Sequence, residues 1–118
     1  MKLRKLTFGE AKMEATPGVK GEILAGNLVD ERHGGPVTVG YGRWGAHSIL
    51  EQVMAVDDIM IVLSGRLSVA SPSGTLEIGP GEIAYMPKGE LVTIRAYEQE
   101  AITACVTFPH WREAEAQR

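Results

Sequence analysis

Asp57-Asp58-Ile59-Met60-Ile61-Val62-Leu63-Ser64-Gly65 and, further along, Gly79-Pro80-Gly81-Glu82-Ile83-Ala84-Tyr85-Met86-Pro87-Lys88-Gly89 decide how this chain folds. The first stretch is an apolar run between an acidic pair and a Ser-Gly turn, the pattern of a buried strand. The second is a short strand held between two Gly/Pro turns. Between them Leu67 and Val69, then Leu76 and Ile78, alternate with polar residues across the turn Ser71-Pro72-Ser73-Gly74. Beyond them Val92–Tyr97 and Ile102–Phe108 are two more strands rich in β-branched residues. Towards the N-terminus Val37, Val39 and Tyr41 alternate with Thr38, Gly40 and Gly42. About seven strands at close spacing predict an all-β sandwich or small barrel.

The rest of the chain fits one such unit. Its 118 residues suit a single domain. Residues 1–35 read as an N-terminal arm with one or two short strands, and residues 36–118 as the barrel and a C-terminal tail. A short closing helix is predicted over residues 111–118. Residues 48–56 are ambiguous: Ser48 and Glu51 have capping-box spacing, yet the all-β surroundings favour an irregular strand. Gly40-Tyr41-Gly42-Arg43-Trp44-Gly45 matches a dinucleotide-binding glycine pattern. No second βαβ unit follows, so these glycines are expected at a bend or bulge.

The net charge of −3 gives a nucleic-acid partner no electrostatic support. A single cysteine, Cys105, excludes an intrachain disulfide and a Cys-rich zinc site. No apolar run reaches the ~20 residues of a membrane span. The basic N-terminus lacks the apolar core of a signal peptide, so a cytoplasmic location is expected.

The two opening stretches resemble the paired motifs of the cupins. The first motif's acid, six residues, then Gly is met by Asp58 and Gly65; the second is met by Gly81, Pro87 and Gly89. Val39–Trp44 and Val106-Thr107-Phe108-Pro109-His110-Trp111 add a resemblance to EutQ-type proteins of ethanolamine utilization. The resemblance implies a double-stranded β-helix, or jelly-roll barrel, with a small-molecule pocket inside. It also implies a homodimer, a role in ethanolamine or related catabolism, and association with a microcompartment. Cupins commonly hold a divalent metal with three His and one Glu. Here the second-motif His slot is Val92, and the first-motif slots are Glu51 and Val53 counted from Gly45, or Gln52 and Met54 counted back from Asp58. No histidine-based metal site and no cofactor are therefore expected. An oxygen-rich divalent-metal site through Glu51 and Asp58 is the remaining route to a metal.

Asp58, Glu51 and Tyr85 are the candidate catalytic residues. A carboxylate in an apolar barrel has a raised pKa and can move protons, with Glu51 as its partner and Tyr85 as a phenol. Arg43, Tyr41, Gln52 and His47 are the candidate substrate-binding residues. The guanidinium of Arg43 suits an anionic group, and His47 is the histidine nearest the first motif. Met54, Met60 and Met86 are expected to fill the lumen, Trp44 and Cys105 to pack, and Pro109–Trp111 to cover the barrel. The resemblance also implies acetate kinase activity. Phosphoryl transfer needs phosphate-cradling amides, cations and Mg²⁺, for which this motif set offers Arg43 and an acid pair. Three readings follow: a proton-transfer enzyme such as a lyase or isomerase, a non-catalytic small-ligand sensor, or a microcompartment accessory protein.

Overall fold

Strand alternation sorts the residues into two antiparallel sheets in the computed structural model, which describes residues 2–111. The larger sheet has the order β1 (Glu14–Ala15), β2 (Ile23–Val29), β3 (Thr38–Trp44), β10 (Ala101–Phe108), β5 (Asp57–Ser64) and β8 (Ile83–Met86). The smaller has β4 (Ile49–Val53), β9 (Leu91–Ala96), β6 (Leu67–Ser71) and β7 (Gly74–Ile78). Every pairing is antiparallel. The two sheets face each other as the expected jelly roll.

The core lies between the sheets. Met54, Met60 and Met86 are buried there with Val62, Leu67, Val92, Ile94 and Ala101, so the methionines help fill the lumen. Thioethers suit this gap-filling because three soft torsions adapt to an irregular space. At the β5–β6 turn Gly65 takes φ +75°, and a Cβ there would lie 2.5 Å from the Glu100 carbonyl oxygen. Both the left-handed backbone and the close approach call for glycine.

Residues 48–56 resolve as strand β4 rather than helix. Its five residues pair along β9, and Lys20 bridges to Ile49. Cross-strand hydrogen bonding and burial of one face outweigh the local capping signal. The glycine pattern lies on β3 up to Trp44, with Gly45 just past it, and leads to β4, with no helix among the described residues to receive a phosphate. Before Pro36, β2 pairs along most of β3 and extends the larger sheet. The helix predicted over 111–118 lies, past Trp111, outside the described residues. Among those described, no helix is long and apolar enough to cross a membrane.

Candidate functional site

Three strands of the larger sheet, β3, β10 and β5, turn small or polar residues into the lumen beside the methionines. β10 runs between β3 and β5, so its register sets three rows of facing residues. Thr38, Thr107, Asp58 and Met86 form one row; Gly40, Cys105, Met60 and Ala84 form the next; Gly42, Thr103 and Val62 form the third. Around them lies a cavity of about 300 Å³, bordered also by Ile23, Leu50, Gln52 and the two tryptophans. That volume is at the lower end for small-molecule pockets.

The glycines of β3 are required by close approach. A Cβ on Gly42 would lie 2.7 Å from Thr103 Oγ1 and 3.1 Å from Trp44 Nε1. One on Gly40 would lie 2.5 Å from the Gly26 carbonyl oxygen and 2.7 Å from Asn27 Oδ1. Both positions face inward, so the missing side chains leave the cavity's floor as bare backbone.

Most polar atoms around the cavity are committed. Trp44 Nε1 donates to Thr103 Oγ1 at 3.2 Å. His110 Nε2 lies 2.8 Å from the Gly35 carbonyl oxygen, which can only accept, so Nε2 carries the proton. In neutral His110, Nδ1 then accepts from the Thr38 hydroxyl at 2.6 Å. Gln52 Nε2 donates weakly to Met54 Sδ at 3.7 Å. Two atoms differ: Asp58 Oδ1 and Thr107 Oγ1 are buried and have no hydrogen-bond partner among the described residues. They project from directly paired positions on β5 and β10.

Burial without a partner pushes the Asp58 carboxyl up to about 7. Burial, and then the charge of Asp58, push the Cys105 thiol up to about 12, against a small opposing effect from Thr103. At neutral pH that sulfur is a thiol, not a nucleophilic thiolate.

Of the residues singled out in the sequence, the cavity gathers Asp58 and Gln52. Strand alternation sends the others elsewhere. Glu51 is exposed and accepts from the Thr93 hydroxyl at 3.1 Å, because its neighbours Leu50 and Gln52 take the inward positions. Tyr85 stands outside β8 with 61% of its surface exposed, since Ala84 and Met86 take the inner face. Arg43 is exposed and paired with Glu100 at 2.9 Å. Tyr41 borders the cavity through its backbone strand, but its hydroxyl donates outward to the Leu6 carbonyl at 3.3 Å and its ring meets Phe8 edge-on. His47 is exposed on the β3–β4 turn at φ 58°. Glu51, Tyr85, Arg43 and His47 are thus corrected to the outer surface, and Tyr41 to the outer face of β3.

The same geometry decides between the two counts of the first motif. Gln52 borders the lumen and Met54 is buried, while Glu51 and Val53 face out, so the inward slots are Gln52, Met54, Asp58 and Val92. One carboxylate, an amide, a thioether and an aliphatic residue do not fit the divalent metal that the fold family implies. The described residues bring no three His, Cys, Asp or Glu together as a metal group. The pairing of Arg43 with an acid pair for phosphoryl transfer is not assembled either, because Arg43 and Glu51 both face away from Asp58. Thr107, Thr103 and the Thr38–His110 pair were missed in the sequence. The alternation Thr103, Cys105, Thr107 along an otherwise apolar strand was the signal that could have found them.

No protein-family model and no curated protein matches the chain. Solved structures do. A structural-genomics protein of unknown function from Rhizobium leguminosarum bv. viciae 3841 is 50% identical, with a TM-score of 0.80 over 93% of this chain and 100% of that one. A candidate ethanolamine utilization protein Q from Salmonella typhimurium LT2 is 21% identical, with a TM-score of 0.77 over 86% and 82%. The polyketide cyclase RemF from Streptomyces resistomycificus is also 21% identical, with a TM-score of 0.78 over 91% and 80%. The chain has the cupin fold, and EutQ proteins are among those it resembles.

Proposed function

We propose that this protein binds a small metabolite in the barrel, without the histidine metal site usual for the fold, and that Asp58 is the group that works on it. The observation that carries this is the pair of buried, unpartnered atoms, Asp58 Oδ1 and Thr107 Oγ1, facing a cavity of about 300 Å³. A buried polar atom left without a partner costs about 1–3 kcal/mol, and a ligand supplying that partner recovers it. A carboxyl titrating near neutrality can both give and take a proton, as a lyase or isomerase requires. The likeness to EutQ supports a place in ethanolamine or related small-molecule catabolism.

A thermal-shift screen of amino alcohols, acetyl phosphate and small acids tests the reading. At least one compound is expected to raise the melting temperature, and Asp58→Asn is expected to remove that shift while leaving the fold intact. Shifts that survive Asp58→Asn would place the ligand elsewhere, and a screen without shifts would count against the reading.

We also propose a homodimer. Ile59, Leu63, Ile83, Tyr85 and Phe108 are exposed. The register places Tyr85 opposite Ile59, and Ile83 opposite Ile61, on one outer face. A contiguous apolar face marks a protein contact, and a two-fold contact needs the same patch on each copy. Light scattering should give twice the 12.8 kDa chain mass, and Ile83→Asp should return it to one; a monomeric parent protein would refute the dimer.

A further inference from the structure

The charges around Asp58 narrow the class of molecule the barrel takes, an inference that rests on the proposed function. No Lys, Arg or His lines the cavity among the described residues. β10 turns Thr103, Cys105 and Thr107 towards it, and Cys105 stays neutral. β4 offers Leu50 and Gln52, and the inward residues of β8 and β9, namely Ala84, Met86 and Val92, are buried and apolar. The nearest titratable groups turn away: Tyr41 on β3 towards Leu6, and His110, past the end of β10 and behind Thr38, towards Gly35.

An anionic ligand would enter this space with no counter-charge and would face a carboxylate, which is costly at low dielectric. A cation would meet the one ionisable oxygen pair in the cavity. The Thr107 hydroxyl is a second free acceptor beside it. Trp44 and Trp111 border the same space, where an indole face would attract a cation. Ile23 and Leu50 supply an apolar wall.

We propose that the cavity takes a small organic ammonium ion, its N–H groups donated to the Asp58 carboxylate and the Thr107 hydroxyl, and its short carbon chain laid against Ile23 and Leu50. Binding draws Asp58 into its ionised form, so the acid proton leaves for solvent as the cation enters.

Isothermal titration with propylammonium, propionamide and butyrate at pH 6.0 and pH 8.5 tests this. Propylammonium should bind about tenfold more tightly at pH 8.5, because only about a tenth of Asp58 is ionised at pH 6.0. At pH 6.0 its heat should depend on the buffer, which reports the released proton. Asp58→Asn should lose this binding, and Thr107→Val, which keeps the carboxylate, should weaken it several-fold. Tighter binding of propionamide or butyrate, or an affinity that does not rise with pH, would overturn the ammonium class and leave a small-molecule site standing. No binding by any probe, with an unmoved Asp58 carboxyl resonance in NMR, would overturn both.

Discussion

Asp30 and Asp58 are both largely enclosed aspartates, and their surroundings drive them in opposite directions. Asp30 begins the 3₁₀ turn Glu31–His33. Its Oδ1 accepts from the Arg32 backbone N–H at 3.1 Å and from Arg32 Nε at 2.9 Å, and its Oδ2 accepts from Arg32 Nη2 at 2.8 Å. These bonds, the Arg32 side chain's first, hold the Asp30 carboxyl at about 2 despite burial. Asp58 has no such partner among the described residues, and burial alone raises it to about 7. Two residues of one type thus differ because one had its hydrogen bonds supplied locally and the other faces open space. A satisfied carboxylate holds a turn; an unsatisfied one in a cavity is a candidate binding group.

The sharpest way to break the contrast is to replace Asp58→Asn and follow urea unfolding against pH. The raised pKa means the native state binds the proton more tightly than the unfolded state does. Stability from Asp58 is therefore fully present below its ordinary value of 3.8 and is lost as pH rises through about 7. At pH 8 the Asn variant should exceed the parent protein by up to about 4 kcal/mol, the cost of ionising the buried acid. The gap should close near pH 4. A variant less stable at every pH would show that the carboxylate has a structural partner after all.

A smaller and opposite effect is expected from Asp30→Asn. Its lowered pKa contributes stability that is present above 3.8 and lost as pH falls through about 2. At pH 7 this variant should lose about 1 kcal/mol, the scale for a cap and a partly exposed Arg–carboxylate pair. Carboxyl-carbon NMR would sharpen the comparison directly, with titration midpoints near 2 for Asp30 and near 7 for Asp58. Equal midpoints would dissolve it.

How much of this could be read beforehand differs between fold and site. The strands of residues 57–108 followed from apolar alternation and from Gly/Pro turns, both carried by neighbours in sequence, whereas their order in the sheets did not. Asp58 stood out because it opens the first motif. Gln52 was one of two rivals for a slot, and only the pairing of β4 with β9 turned it inward and Glu51 outward. A shift of one residue in a strand reverses its face. That is why residue type alone points Glu51, Tyr85 and Arg43 at the site while the strands turn them outward. Thr107 escaped notice because its partner, Asp58, lies far away in the chain.

By itself, the sequence determined that this is an all-β chain of cupin type lacking the histidines of the usual metal site. Local periodicity suffices for the strands, while the cupin type and the empty histidine slots came from the resemblance of two motifs to a known family. Only the tertiary structure decided that Asp58 and Thr107 share a cavity while Glu51, Arg43, His47 and Tyr85 do not. A strand's face is set by register with partners distant in sequence, and burial, which shifts a pKa, exists only once those partners have closed around the group.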